Sequence, residues 1–372
     1  MDNLPVQDKY ATLDGLRGAA AALVVMVHFP LLFGLTSVEN GYLVVDLFFA
    51  MSGFVIASAY EKKLAGGSLK ARSFMKLRII RLYPLYLIAT LIGIVSLLLK
   101  MPDADWSLMA QAVPLALLML PSPIAMRIFY PLNLAPQCLY PLNFPSWSLF
   151  FELCANGAYA LFFKRLTTRT LVRVSVVCGV LLVAKGLHGK TLDYGAVFSG
   201  SYIGFLRVIY SFSIGVLLFR RRTQQRKQSN AYALAIVAVC LLIFCVPVAA
   251  SIRPAYTVLA LIVAIPLLVM AGASVEPTRK VREVFLFAGT VSYGIYVLHV
   301  PVIFIVQTLL VKPDNLRAPA HAVLGAALLV LVVALAAFAE KYYDRPVRRF
   351  LLHGRRKPVA ARPAVIAVAN NE

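Results

Sequence analysis

Asp14-Gly-Leu-Arg17-Gly-Ala-Ala-Ala-Ala-Leu-Val-Val-Met-Val-His28-Phe-Pro30 is apolar enough for a membrane interior, yet it holds an arginine near one end and a histidine near the other. Ionisable groups at hydrocarbon depth are costly and mark candidate functional sites. The two are eleven residues apart. As a helix, that spacing puts them on one face, about 16 Å apart along the axis. No Ala-x-Ala cleavage pattern follows its apolar core, so it reads as a retained helix rather than a removable signal.

Apolar runs recur along the whole 372-residue chain, which is 60% hydrophobic, with a mean hydropathy of +0.80. They fall at roughly 14–35, 40–60, 82–100, 107–121, 146–163, 170–186, 199–219, 231–250, 254–273, 285–310 and 318–338. The formal charge of +21 clusters between these runs. It therefore reads as membrane topology and attraction to lipid headgroups, not nucleic-acid binding. Five scattered cysteines, 138, 154, 178, 240 and 245, read as small hydrophobes, with neither a disulfide framework nor a metal site.

Lys62, Lys63, Lys70, Arg72, Lys76, Arg78 and Arg81 lie between the second and third runs, which makes that loop cytoplasmic. If 107–121 spanned, every later basic loop would be outside, and fifteen residues reach only about 22 Å. That run is therefore expected to be re-entrant or interfacial. The expected fold is an all-α polytopic bundle of about ten spanning helices with both termini cytoplasmic. It forms one domain over 1–350, followed by a short basic cytoplasmic tail, 351–372.

Counting residues from the outer helix ends puts His28, Asp46, Glu152, Arg207 and His299 in one layer, about 9–16 Å deep. Arg17, Arg78 and Arg81 lie at the inner face. Guanidinium forks match phosphate oxygens, so the inner arginines suit a phosphate-bearing donor, although the positive-inside rule also accounts for them. His28 beside Asp46 or Glu152 has the makings of a general base whose tautomer a carboxylate fixes. A lone membrane histidine would more simply make an interhelical packing bond, but Arg17 on its face and acids at its depth favour the site reading. Coenzyme A has the shape to join the two layers: phosphates at one end, a thin arm, and a thioester at the tip.

Trp147 is either an interfacial anchor or a site residue. Ser148, Glu152 and Asn156 form an inward polar stripe. Arg207 pairs with an acid or acts directly. Ser292, Tyr296 and His299 share a face, which makes His299 a candidate second site group. His188, His321 and His353 suggest no role, and Asp103 and Asp105 read as solvated loop charges.

Several segments, in order, resemble the acyltransferase-3 family of integral membrane acyltransferases. Arg17 through His28 is similar to its Arg-x10-His signature. Val45-Asp46-Leu-Phe-Phe-Ala-Met-Ser52-Gly53-Phe54 is similar to its second helix, and Phe74-Met-Lys-Leu-Arg78-Ile-Ile-Arg81-Leu-Tyr-Pro84 to the start of its third. Pro145-Ser-Trp147-Ser148-Leu-Phe-Phe-Glu152, then Arg207 with Phe212 and Gly215, and Val291-Ser292-Tyr293-Gly-Ile-Tyr296-Val-Leu-His299 complete the set.

The resemblance covers about residues 10–350. It implies a multi-pass protein of the bacterial inner membrane that moves an acyl group, acetyl in the first instance, from cytoplasmic acyl-CoA to a hydroxyl. The acceptor would be a surface polysaccharide or lipid-linked glycan, and polysaccharide-biosynthesis enzymes would be partners. No permanently bound cofactor is expected. The family's essential Arg and His fall on Arg17 and His28, its donor-side arginines on Arg78 and Arg81, and its fifth-helix acid on Glu152. Asp46 joins the catalytic set as an orienting acid, Arg17 also touches the donor, and Trp147, Ser148, Arg207, Tyr293 and His299 face the substrate. Transfer would be direct or through an acyl-histidine. Two departures stand out. The hydrolase-like periplasmic domain that many members carry is not expected here, and the fifth-helix motif continues Leu-Cys-Ala-Asn. The rival reading is a transporter or flippase that uses the buried His, Asp, Glu and Arg as a relay.

Overall fold

Backbone groups in hydrocarbon must pair within their own segment, and in the computed structural model the apolar runs are helices. The structure describes residues 10–353, apart from 36, 101–105, 123–137, 190, 224 and 310–317; Asp103, Asp105 and most of the basic tail lie outside them. The helices are α1 (Ala11–His28), α2 (Val44–Ala65), α3 (Ala71–Lys100), α4 (Trp106–Leu117), α5 (Ser146–Leu161), α6 (Thr168–Gly189), α7 (Ser201–Arg221) and α8 (Asn230–Cys245). They continue with α9 (Arg253–Leu259), which runs through a π turn (Ala260–Ala264) into α10 (Ile265–Ser274), then α11 (Arg279–Leu309), α12 (Ala318–Ala339), a π turn (Glu340–Asp344) and α13 (Arg345–His353).

Among the described residues, eight helical stretches are long and apolar enough to cross a membrane. α5 and α8, of 16 residues each, take the places of two further expected spans. They reach only about 24 Å. Leu161, Val176, Val180, Leu242, Val323 and Val330 point outward. In water that would be an exposed apolar surface; against lipid it is the wetted one. The fold is an all-α polytopic membrane bundle.

The 107–121 run forms the 12-residue α4. The hydroxyls of Tyr86 and Tyr83 donate to its last two carbonyls, Ala116 O (2.5 Å) and Leu117 O (2.9 Å), which satisfies a helix end that has no intrahelical partner, and Tyr140 donates to Met119 O just beyond it at 2.7 Å.

Two close helix pairs set the geometry of the interior. α1 and α11 run parallel and in register. A Cβ on Gly18 would overlap the Ala288 side chain, and one on Gly289 would overlap Asp14; ten residues further along, His28 meets His299. α2 and α7 also run parallel. A Cβ on Gly53 would land on the carbonyl oxygen of Phe212, and one on Gly215 on that of Ala50. Small residues at such crossings let backbones touch. Ion pairs clip the α2–α7 pair at both ends, Asp46 with Arg207 at 2.6 Å and Glu61 with Arg220 at 2.7 Å.

The basic loops gather at one end of the bundle. There Lys227–Gln228 pairs in parallel with Val275–Glu276. The Glu276 carboxylate takes the Ala11 N–H at 3.3 Å and lies 3.5 Å from Arg282 and 3.7 Å from Arg226. Burial nevertheless raises the pKa of this carboxyl.

Candidate active site

At the basic end, α1, α2, α3, α5, α11 and α13 enclose a cavity of about 450 Å³, within the usual range for small-ligand sites. Its wall carries four guanidinium groups, Arg17, Arg78, Arg81 and Arg348, against one carboxylate, Glu152. Each arginine is anchored on a different acid or shares one. Arg78 Nη2 donates to Glu152 Oε1 at 3.0 Å, Arg17 lies 3.5 Å from Asp14, and Arg348 and Arg81 lie 2.8 and 3.6 Å from the fully buried Asp344. Ser52 donates to the same Glu152 oxygen at 2.6 Å. The Arg81 guanidinium sits 5.6 Å above the Tyr293 ring, whose hydroxyl donates to Leu82 O at 2.6 Å.

Along α11, Gly289, Ser292, Tyr293 and Tyr296 line the cavity at the three- and four-residue spacing of one helix face. Its deep end is closed where Tyr296 Oη and Ser148 Oγ share a hydrogen bond of 2.6 Å, with Pro145 O accepting from Tyr296 at 3.1 Å and the Phe48 ring 5.6 Å away. One turn beyond lies His299, fully buried, with Nε2 at 2.9 Å from Nδ1 of His28. Phe144 stands edge-on to His28 at 5.5 Å.

This geometry fixes the tautomers. Nδ1 of His299 faces the carbonyl oxygens of Tyr296 (2.9 Å) and Ile295 (3.1 Å), which only accept, so that nitrogen carries hydrogen. Nε2 of His299 then presents its lone pair to His28. Nδ1 of His28 faces this lone pair and the Val24 carbonyl, also at 2.9 Å, so it carries hydrogen as well. Nε2 of His28 is left with its lone pair and has no hydrogen-bond partner among the described residues. That is the form a base requires.

Two expectations are corrected. Glu152 does not share a layer with His28: it belongs to the arginine cavity, bound to Arg78 and Ser52. Residues 138–145 are buried and dip into the bundle before α5 begins. Asn143 donates to Val297 O at 3.2 Å, at the level of the histidines. The helix therefore starts inside the bundle, near the level of the histidines, rather than at the membrane surface. Asp46 does not orient His28 either. It receives Arg207 Nε at 3.1 Å and Nη2 at 2.6 Å, while Arg207 also donates to Tyr194 O at 2.8 Å and Tyr42 O at 3.1 Å. This is a fully buried structural ion pair, and the position expected of a carboxylate beside His28 is held by His299.

Trp147 is buried against Phe151, with the Arg207 guanidinium 6.0 Å from its ring, and it belongs to that structural cluster rather than to the cavity. Ser148 and Tyr293 do line the cavity. Asn156 is buried, and neither its Oδ1 nor its Nδ2 has a hydrogen-bond partner among the described residues. Arg348 and Ser52 were not singled out from sequence for any role. Arg348 resembled the basic residues of a tail, and a boundary at 351 cuts through α13, whose Leu352 also lines the cavity.

A family pattern described as an acyltransferase domain matches residues 10–339. A protein of Rhizobium radiobacter called protein 2 in picA locus is 37% identical over 188 residues, which cover 47% of this chain and 94% of that one. No solved structure matches the chain. The family match spans the histidine pair and every helix of the arginine cavity except α13, and the chain belongs to the acyltransferase-3 family of membrane acyltransferases.

Proposed function

We propose that the protein is an O-acyltransferase that carries an acyl group, most simply acetyl, from acyl-CoA to a hydroxyl of a surface polysaccharide or lipid-linked glycan. By the positive-inside rule the basic end faces the cytoplasm, and the membrane is the bacterial inner membrane. The observation that supports this reading is the convergence of four arginines on one cavity whose deep end adjoins the base-ready His28.

Arg17, Arg78 and Arg81 hold the phosphates of the donor, and its arm runs along Ser292 and Tyr296 toward the histidines. The thioester reaches His28 once the Tyr296–Ser148 contact opens. Nε2 of His28 takes the proton of the acceptor hydroxyl as its oxygen bonds to the thioester carbonyl carbon. The carbon–sulfur bond breaks, and the proton passes from His28 to the departing sulfur, leaving free coenzyme A and an ester. His299, Ser148 and Tyr293 support the reacting groups. Trp147, Arg207 and Asp46 act through the fold.

The test is transfer of label from radiolabelled acetyl-CoA into total surface glycan, in membranes carrying the wild-type chain or His28→Ala at equal protein levels. Label should enter glycan with the wild type and be lost with the variant. Label that persists in the variant refutes the mechanism. No label in either, with the native glycan present, refutes acetyl-CoA as donor and favours transport.

A further inference from the structure

The fourth arginine of the cavity comes from a segment that the family pattern does not reach, since the match ends at residue 339. The chain continues through the Glu340–Asp344 π turn into α13, which brings Arg348 and Leu352 to the cavity wall. Short π segments inside helices recur at functional sites. Here the turn buries Asp344 completely, and the carboxylate lies 2.8 Å from Arg348 and 3.6 Å from Arg81. Glu340 in turn holds Arg345 at 3.1 Å and meets Arg348 at 3.5 Å. Side chains from α3 and α13 are thus joined through one buried acid beneath the cavity.

The guanidinium groups are not saturated. Nε of Arg348 and Nε of Arg78 are both buried, and neither has a hydrogen-bond partner among the described residues. Buried donors are normally paired. Two unpaired ones on arginines of one cavity, where cations outnumber the lining carboxylate four to one, call for a ligand with several anionic oxygens. A lipid headgroup brings one phosphate; the nucleotide end of coenzyme A brings three.

We propose that Arg348, presented by Asp344 and the π turn, binds the phosphate groups of the acyl donor, so that α13 forms one wall of the donor site. This rests on the acyl-CoA reading above. The experiment is calorimetric titration of the full chain in neutral detergent with coenzyme A and, separately, with pantetheine, which lacks the phosphates. Wild type should bind coenzyme A more tightly. Arg348→Ala should weaken coenzyme A about 10- to 100-fold, the scale of lost charged hydrogen bonds, with pantetheine unchanged. Arg348→Lys should recover only part, because it lacks the fork.

Arg348→Gln keeps a hydrogen-bond donor beside Asp344 and leaves the Arg81–Asp344 pair in place; it should show the same selective loss, which guards against misfolding of the alanine variant. Equal coenzyme A affinity for wild type and Arg348→Ala overturns the proposal. So does a parallel loss for both ligands, which would mean packing, or a loss seen only after phosphatidylglycerol is added, which would mean a lipid headgroup. If wild type binds coenzyme A no better than pantetheine, the acyl-CoA reading itself fails and takes the proposal with it.

Discussion

Replacing His299 with phenylalanine keeps an aromatic ring of similar size but removes the acceptor for the Nδ1 hydrogen of His28. The bond lost is 2.9 Å long and lies in a buried site. Such bonds contribute about 0.5–1.5 kcal/mol net, and about 1.4 kcal/mol in a barrier is tenfold in rate. The Val24 carbonyl, also 2.9 Å from Nδ1, still keeps the hydrogen on that nitrogen. The tautomer therefore survives, and what is lost is the fixed ring orientation. Transfer into glycan should fall about tenfold, well short of the roughly 10⁴-fold that a wrong tautomer costs a serine protease.

KM for acetyl-CoA should stay at the wild-type value, because His299 is not on the cavity wall. The assay is the initial rate of label transfer at several acetyl-CoA concentrations, together with thermal unfolding of the purified variant. In a His28→Ala background the second substitution should cost almost nothing, since residues that act as a unit are not additive. A full rate for His299→Phe, or a raised KM with unchanged kcat, would refute the orienting role.

Asp46→Asn should destabilise the protein by about 3–5 kcal/mol, the cost of stranding one member of a buried ion pair; Asp46→Leu with Arg207→Met should recover most of it in thermal unfolding, and failure to do so would argue against a structural pair. Arg78→Ala should raise the acyl-CoA KM more than it lowers kcat, and an unchanged KM counts against phosphate binding there. Glu152→Gln frees Arg78 from its ion pair and should shift KM; a change confined to kcat would instead return Glu152 to the histidines. Gly53→Ala places a methyl group on the Phe212 carbonyl and should cost about 1–3 kcal/mol through overpacking, read as a lowered unfolding temperature.

Much of this arrangement was legible in the sequence. Period and length disclosed the helices, the basic loops marked one end, and the eleven-residue spacing put Arg17 and His28 on a common face. Failures came where depth was read from helix length. α5 looked like a helix that begins at the membrane surface, but Pro141, Asn143 and Pro145 belong to an irregular stretch that is already inside the bundle. Counting from Ser146 as a surface residue therefore placed Glu152 with the histidines instead of with Arg78. Asp46 and Arg207 are fully buried and paired with each other. Which of the deep groups pair with each other depends on helix neighbours, and one sequence does not carry that information. Arg348 was hidden because a basic residue near the end of a membrane chain has an ordinary topological explanation.

The contact of Tyr296 with Ser148, backed by Phe48, also has an electrical meaning. A membrane at 100 mV drives each elementary charge with about 2.3 kcal/mol, and an open hole wide enough for a slender substituent is wide enough for hydrated protons. The two hydroxyls bond to each other and to Pro145 O between the arginines and the histidines, where such a contact would interrupt a file of water. Any crossing of a reactive group is then an event of brief opening. On the proposed transfer reading, that contact would keep the protein an insulator between turnovers and so spare the cell's proton gradient.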